Sequence, residues 1–128
     1  MNQKVIYKRI IVVDDDDNIR KILIDLLETI SKRNQNGKVF LVEEACNGQE
    51  AWLKIDGNKE FDYDLVITDI VMPEMDGITL KNKIEARFPE TKIIILSGNA
   101  FPPENCSHFL QKPFSFREFI KTINLLIN

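Results

Sequence analysis

Four short apolar segments in this chain each lead directly into a polar residue that can take part in chemistry. They are Ile10-Ile11-Val12-Val13 before Asp14-Asp15, Leu65-Val66-Ile67-Thr68 before Asp69, Ile93-Ile94-Ile95-Leu96 before Ser97, and Phe109-Leu110-Gln111 before Lys112-Pro113. Short β-branched segments separated by helical patterns are typical of buried parallel strands in an α/β sheet. In such sheets, ligands bind beyond the carboxyl ends of the strands. We therefore expect three carboxylates, one hydroxyl and one ammonium to meet at one edge of the sheet.

Helical periodicity fills most of the segments between these strands. After Asp14, apolar residues recur every three or four positions, which predicts a helix capped by Asp16 or Asp17. The last helix is predicted to begin at Ser115, because Ser115 and Glu118 have the spacing of a capping box. The apolar faces of these two helices are predicted to comprise Ile19, Ile22, Leu23, Leu26, Leu27 and Ile30 in the first, and Phe116, Phe119, Ile120, Ile123, Leu126 and Ile127 in the last.

The order of these elements predicts an α/β fold. A further strand is expected from Val39 to Ala45. Five strands that alternate with helices form a doubly wound five-stranded parallel sheet, because right-handed crossovers leave few other arrangements. The exception is the segment from Asn99 to Ser107, which contains Pro102-Pro103 and is too short and too broken for a normal crossover helix. We expect a loop or a single turn there, and hence a shortened or missing helix between strands 4 and 5.

Composition narrows the class of protein. The chain has 128 residues, of which 44% are hydrophobic and 29% charged, as expected for a single domain over residues 1–128. The net charge of -3 predicts neither a nucleic-acid-binding nor a membrane-binding surface. We expect a cytoplasmic location, because no apolar segment approaches the roughly 18 residues of a membrane span and the first residues lack a signal-peptide core. Cys46 and Cys106 are far apart in the sequence and are expected to be reduced thiols.

The predicted cluster of carboxylates requires a cation. Two like charges about 4 Å apart repel by roughly 4 kcal/mol at an effective dielectric near 20. Lys112 supplies one positive charge against Asp14, Asp15 and Asp69. Mg²⁺ suits a small set of oxygen ligands that leaves positions for water and a phosphoryl oxygen. A carboxylate at a strand end can also attack phosphorus to give an acyl phosphate, with Lys112 and Ser97 neutralising charge on the transferred group.

At this point the motifs resemble a known family. Val13-Asp14-Asp15, the run from Thr68 through Asp69-Ile70-Val71-Met72-Pro73-Glu74-Met75-Asp76-Gly77, Ser97, and Lys112-Pro113-Phe114 strongly resemble the receiver domain of two-component response regulators. The resemblance covers essentially the whole chain. It implies a flavodoxin-like sheet with strand order 2-1-3-4-5. It also implies a phosphoacceptor signalling domain, a switch or phosphorelay intermediate that catalyses only its own phosphorylation and dephosphorylation and is otherwise not an enzyme.

The resemblance also implies a role for each site residue. Asp69 would accept a phosphoryl group from the phosphohistidine of a sensor histidine kinase or a histidine phosphotransfer protein. Asp14, Asp15 and Asp69 would hold Mg²⁺ together with the backbone carbonyl of Val71. Lys112 would pair with the phosphoryl oxygens, and its peptide bond to the following proline is expected to be cis.

Two further residues correspond to the family's switch. Ser97 would turn toward the phosphoryl group, and Phe109 would follow it inward. An equally weighted interpretation is that Phe109 stays packed in the core. Asn99 and Val71 occupy positions that in the family tune how fast the phosphate hydrolyses.

The chain departs from the family pattern in its shortened segment. In the family, the helix between strands 4 and 5 is part of the face that dimerises, so a monomer is favoured here. Ile24, which lies off the predicted core stripe of the first helix, fits docking of a kinase or phosphotransferase, although a single exposed isoleucine needs no explanation. His108 is expected to be a solvent-edge or capping residue and not a ligand or catalyst.

Two rival functions are considered. A haloacid-dehalogenase-like phosphatase would use Asp14 as its nucleophile with Asp16, Ser97 and Lys112, but this interpretation leaves the motif around Asp69 unexplained. A degenerate receiver would act only as a binding module. The residue that becomes phosphorylated distinguishes the first rival, and Mg²⁺ binding distinguishes the second.

Overall fold

The chain folds into five parallel strands covered by helices on both faces. The computed structural model describes residues 4–34, 36–98 and 102–127. The elements are β1 (Ile6–Val13), α1 (Asp17–Arg33), β2 (Lys38–Ala45), α2 (Gly48–Gly57), β3 (Leu65–Asp69), α3 (Gly77–Arg87), β4 (Lys92–Ser97), β5 (Phe109–Gln111) and α4 (Phe116–Ile127). The strand order is β2-β1-β3-β4-β5 and every pair is parallel. The predicted doubly wound sheet and its strand order are therefore confirmed.

The register of the strands brings the polar residues to one edge. Val13, the last residue of β1, pairs with Thr68 of β3. Asp69 pairs with Leu96 of β4, and Ser97 pairs with Gln111 of β5. Because the strands are parallel and end at nearly the same level, the residues that follow them meet at the carboxyl edge.

The core consists of two hydrophobic clusters, one on each face of the sheet. Alternate residues of β1 contribute to opposite faces, so Ile10 and Val12 belong to the first cluster and Ile11 and Val13 to the second. Helices α1 and α4 cover the first cluster, and α2 and α3 cover the second. Burial of both faces explains why the strands have continuous apolar sequences.

The predicted helix caps are present in the structure. Asp16 is the N-cap of α1, and its side chain accepts hydrogen bonds from the backbone N–H groups of Asn18 at 2.9 Å and Ile19 at 3.1 Å. Asp17 is then the first helical residue. Before α4, the Ser115 hydroxyl accepts from the N–H of Glu118 at 3.0 Å, as a capping box requires.

The predicted helix faces were wrong at three positions. Ile22 is 57% exposed and Phe116 is 39% exposed, whereas Ile24 is partly buried against the first cluster. Ile22 and Ile24 each lie one residue, or about 100° around the helix, from the buried Leu23. Periodicity alone could not decide which flank of the stripe packs, because that depends on the neighbouring elements.

The connection from β4 to β5 contains no helix within residues 102–108. A single turn at Glu104-Asn105 interrupts the loop, and Asn105 has a positive φ of 59°. Cys106 packs partly buried against the second cluster. The prediction of a loop or single turn is confirmed for this segment, while Asn99 and the two residues after it lie outside the described residues.

Two smaller expectations are also tested by the structure. Cys46 and Cys106 are both free thiols. Among the helices of the described ranges, none has both the length and the apolar character needed to span a bilayer.

Candidate functional site

Three carboxylates converge at the carboxyl edge of the sheet. Asp14 follows β1, Asp15 is its neighbour, and Asp69 is the last residue of β3. One carboxylate oxygen from each lies within 4.8 Å of the others. Asp14 is buried, Asp69 is half-buried and Asp15 is exposed. The structure thus brings together the three acids that were predicted to meet.

The environment of Asp14 penalises its charge. One carboxylate oxygen accepts from the N–H of Asp16 at 2.9 Å, and the other lies 3.4 Å from Nζ of Lys112. Burial raises the pKa of Asp14 above its usual value, and the nearby Asp69 charge adds to the rise, while the Asp16 hydrogen bond and the Lys112 charge oppose it. Without a further cation, the ionised form of Asp14 is therefore disfavoured.

Lys112 bridges two of the acids but does not balance the cluster. Its Nζ lies 3.4 Å from Oδ2 of Asp14 and 3.5 Å from Oδ2 of Asp69. Three carboxylates thus face one ammonium group. The ligand atoms are all oxygens, and one of the three acids is open to solvent. A hard divalent cation such as Mg²⁺ fits this donor set, because it prefers oxygen ligands and keeps several of its waters.

Backbone contacts fix Lys112 beside the end of β4. The carbonyl of Ser97 accepts from the N–H of Lys112 at 2.7 Å, and the Lys112–Pro113 peptide bond is cis, as expected. Ser97 itself is buried at the last position of β4. The edge therefore also carries the predicted hydroxyl and ammonium residues.

The two remaining predicted site residues are Val71 and Phe109. The side chain of Val71 is 77% exposed in the loop after β3. Phe109, the first residue of β5, is half-buried and packs against the second cluster. This position agrees with a core-packed Phe109, and the switch role stays a prediction.

Two glycines allow the loop after Asp69 to pack closely. A Cβ atom on Gly77 would lie 2.0 Å from the backbone oxygen of Asp69, and one on Gly48 would lie 2.2 Å from the backbone oxygen of Met75. The N–H of Gly77 also donates to the carbonyl of Ile70 at 2.8 Å. The loop is thus held against the start of α2 and the start of α3, which fixes the backbone at Asp69.

Sequence reasoning did not identify Arg20, which is the most connected basic residue near these acids. NH1 of Arg20 donates to the backbone oxygen of Asp14 at 2.7 Å. Its NH2 donates to Asp17 at 2.6 Å and its Nε to Glu44 at 2.7 Å. The spacing of Asp17 and Arg20, three residues apart on α1, indicated one of these bonds. The contact with β2 depends on the tertiary fold.

An apolar groove opens beside Lys112. It has a volume of about 470 Å³ and is lined by Ile19, Ile22, Leu23, Leu26, Lys112, Pro113, Phe114 and Phe116. The exposed isoleucine of α1 is therefore Ile22, at the groove, and not Ile24 as predicted. This error has the same origin as the misassigned helix face.

His108 lies away from the acidic edge. It lines a separate cavity of about 180 Å³ together with Lys81, Glu85 and Lys92. Burial lowers the pKa of His108, and the charge of Lys92 lowers it further. His108 is half-buried, which agrees with the expected place at the solvent edge.

Comparisons with known proteins agree with this geometry. A family model described as the response regulator receiver domain matches residues 10–124. The response regulator receiver protein CpdR of Brucella abortus is 31% identical over 127 residues, which cover 94% of this chain and 97% of CpdR. The sensor kinase CckA of the same organism is 31% identical over 125 residues, which cover 92% of this chain but only 12% of the kinase.

A solved structure shares the fold at similar identity. The response regulator protein TrrA of Thermotoga maritima, crystallised in complex with Mg²⁺-BeF, superposes with a TM-score of 0.78 at 30% identity. The match covers 94% of this chain and 99% of TrrA.

Replacement of Gly77 by alanine is expected to destabilise the protein. Because the new Cβ would lie 2.0 Å from the Asp69 carbonyl oxygen, the backbone must shift, at a cost of about 1–3 kcal/mol. Urea unfolding measures this loss. Gly57→Ala is the matched control, since nothing lies within 4 Å of its Cβ position, and it should be neutral or slightly stabilising. Equal stability of the two variants would contradict the close packing at Gly77.

Replacement of Asp14 by asparagine is expected to stabilise the metal-free protein at neutral pH. Because the pKa of Asp14 is raised in the folded protein, ionised Asp14 lowers the free energy of unfolding at pH values above that folded pKa. This loss of stability disappears as the pH falls toward 3.8, the pKa of an aspartate in the unfolded chain. The advantage of Asp14→Asn in urea unfolding should therefore shrink on acidification. In Mg²⁺ the order should reverse, because the wild type, with three carboxylates in place of two, gains more binding free energy. The exposed Asp15→Asn should change metal-free stability less. A less stable metal-free Asp14→Asn would refute this account.

Proposed function

The chain belongs to the response regulator receiver family, the phosphoacceptor signalling domains of two-component systems, and we propose that Asp69 takes up the phosphoryl group. This assignment is supported by the exposure of the Asp69 side chain together with its contact with the Lys112 ammonium group. The Asp69 side chain is 18% exposed and pairs with Lys112 at 3.5 Å. The Asp14 side chain pairs with the same ammonium but is only 1% exposed. An incoming phosphorus atom can therefore reach Asp69 and not Asp14.

The same observation argues against Asp14 as a nucleophile. Both of its oxygens already accept hydrogen bonds, one from the N–H of Asp16 and one from Lys112. The oxygens of Asp69 are engaged in the same way, by the N–H of Ile70 at 2.9 Å and by Lys112 at 3.5 Å, so exposure and not hydrogen bonding separates the two acids. The burial of Asp14 instead suits a residue that helps to hold a cation.

In the proposed reaction, a carboxylate oxygen of Asp69 attacks the phosphorus of a phosphohistidine. The new O–P bond forms an acyl phosphate as the P–N bond breaks, and the electron pair of that bond leaves with the imidazole nitrogen. Lys112 pairs with the phosphoryl oxygens, and the hydroxyl of Ser97 donates a hydrogen bond to one of them. These contacts neutralise the charge that spreads over the equatorial oxygens during transfer.

The carboxylates of Asp14, Asp15 and Asp69 and the backbone carbonyl of Val71 would hold Mg²⁺. When bound, the ion supplies positive charge to the transferred phosphoryl group. Its presence would also relieve the repulsion among the acids, because in the described part of the chain the Lys112 ammonium pairs with Asp14 and Asp69 and leaves the charge of Asp15 unbalanced. Binding and transfer are therefore expected to depend on the same divalent cation.

The donor is proposed to be the phosphohistidine helix of a sensor histidine kinase or a histidine phosphotransfer protein. Its docking surface would be the apolar groove, because Lys112 and Pro113 belong both to the groove and to the phosphoacceptor edge. A helix seated there would lie beside Lys112, whose ammonium is 3.5 Å from Asp69. Exposed Ile22 and Phe116 give the groove its apolar rim.

We further propose that residues 1–128 act as one cytoplasmic, monomeric receiver unit, a switch or phosphorelay intermediate that catalyses only its own phosphorylation and dephosphorylation. The absence of a helix from residues 102–108 supports the monomer, since in the family a helix between these two strands belongs to the dimer face. If Phe109 and Ser97 change position on phosphorylation, the neighbouring residues 102–108 form a loop, whereas the family has a helix in this connection.

The Asp69 assignment is tested by intact-protein mass after incubation with a small-molecule acyl phosphate. The wild type should gain one phosphate, and only with Mg²⁺, whereas Asp69→Asn should gain none because the nucleophilic oxygen is lost. Asp25→Asn, an exposed change on α1, is the control and should label like the wild type. Full labelling of Asp69→Asn would place the nucleophile elsewhere, with Asp14 tested next.

The docking surface is tested with a phosphorylated histidine phosphotransfer domain as donor. Ile22→Ser should lower kcat/KM for this donor by about tenfold, because an apolar contact residue is lost. Labelling by the small acyl phosphate should not change, since that donor does not use the groove. Leu53→Ser is the matched control, because Leu53 is 63% exposed on α2, outside the groove. If both variants behave alike with the protein donor, the groove is not the docking surface.

A further inference from the structure

The peptide bond between two of the cation-binding acids is held by one arginine. NH1 of Arg20 donates to the backbone oxygen of Asp14 at 2.7 Å. That oxygen belongs to the planar peptide unit that joins Asp14 to Asp15. The direction of the carbonyl therefore sets where the N and Cα atoms of Asp15 lie relative to Asp14, and it limits where the Asp15 side chain can point.

Arg20 is itself fixed from two directions. Its Nε donates to Glu44 of β2 at 2.7 Å, and its NH2 donates to Asp17 of α1 at 2.6 Å. The Arg20 side chain is 12% exposed, although those of its partners are 55% and 85% exposed. A planar guanidinium with three engaged nitrogens has little freedom to move. The carbonyl of Asp14 is thus tied to a strand and a helix.

Asp15 depends on this support more than Asp14 does. The Asp14 carboxylate has its own contacts, with the N–H of Asp16 and with Lys112. Within the described part of the chain, the exposed carboxylate of Asp15 has no hydrogen-bonding partner. Its position near Asp14 and Asp69 is set by its backbone and its rotamer, with no hydrogen bond of its own to hold it.

We propose that Arg20 is a positioning residue for Mg²⁺ binding, which holds the Asp14–Asp15 peptide so that both carboxylates face the ion together. This inference rests on the proposed function only in naming Mg²⁺ as the cation. Groups that orient the ligands of a metal commonly change its affinity by about 10–100-fold when they are removed.

The direction in which the Mg²⁺ affinity changes when Arg20 is removed distinguishes a positioning role from an effect of its charge. Arg20 is a cation close to the site, so by Coulomb's law its removal should strengthen Mg²⁺ binding. Positioning has the opposite consequence, because the acids lose their shared geometry. Weaker binding after Arg20 is removed therefore has no electrostatic explanation.

The test is a calorimetric Mg²⁺ titration of the full chain, with no phosphoryl donor present. Arg20→Ala is expected to bind Mg²⁺ about tenfold more weakly than the wild type. Arg20→Lys keeps the charge, but its three donors share one nitrogen and cannot reproduce the fork of three nitrogens with which Arg20 reaches its acceptors, so this variant should also bind Mg²⁺ more weakly. Lys54→Ala is the matched charge control. Lys54 donates to the backbone oxygen of Glu44 at 2.6 Å and leaves Asp14 untouched, so this variant should bind at least as tightly as the wild type.

A second measurement follows phosphorylation by a small acyl phosphate at increasing Mg²⁺. The Mg²⁺ concentration for half-maximal rate should rise by about tenfold in Arg20→Ala. The maximal rate should stay within about twofold of the wild type, because Lys112 and Asp69 are unchanged. General structural damage would lower the maximal rate as well. Circular dichroism of each variant verifies that it is folded, and Arg20→Lys carries the test if Arg20→Ala is not.

A folded Arg20→Ala that binds Mg²⁺ as tightly as the wild type, or more tightly, would overturn the inference. A wild type that binds no Mg²⁺ would overturn it as well. A wild type that binds Mg²⁺ but never gains a phosphate would instead refute the proposed function. In that case weaker binding by Arg20→Ala would still support the role of Arg20, so the two failures are distinguishable.

Discussion

Repulsion among three carboxylates, beside which the described residues place a single ammonium group, is the interaction on which the rest of this structure depends. The acids lie within 4.8 Å of one another at the end of a sheet that is buried on both faces. Such a cluster is unfavourable in the metal-free protein, so the surrounding fold has to hold it in place. Lys112 lies beside Asp14 and Asp69 just after β5, Arg20 binds the Asp14 carbonyl from α1, and two glycines let the loop after Asp69 pack closely. The Lys112 contact offsets part of the negative charge, while the other contacts hold the backbone next to the acids in place.

The fold and most of the site were predictable because both depend on where strands end. A strand buried on both faces has an apolar sequence, so the first polar residue marks its carboxyl end, as Asp14 and Ser97 do. Parallel packing then places those ends together. The apolar segment of β1 begins at Ile10, whereas the strand begins at Ile6, because residues 6–9 pair with β2 alone and show no buried run.

What the sequence could not provide were the contacts that tertiary packing decides. The side of α1 that faces the sheet was ambiguous, since Ile22 and Ile24 flank the buried stripe symmetrically. Arg20 was missed because Glu44, which fixes its side chain, is 24 residues away on another element. The role of Gly48 was missed for a similar reason. A Cβ atom at this position would collide with the backbone oxygen of Met75, which is far away in the sequence. Local pattern identifies the reactive residues, while the groups that orient them are brought there by the fold.

The groove beside Lys112 has an evolutionary consequence. Ile22 and Phe116 are exposed, and exposed positions usually tolerate substitution within about 0.5 kcal/mol of stability. The acids and Lys112 need not change when such positions do. If the donor docks there, a duplicated copy of this domain can acquire a new partner by a few surface replacements while the buried chemistry is inherited intact. Parallel signalling pathways in one cell could then be insulated from one another by drift at a handful of residues that the core never contacts.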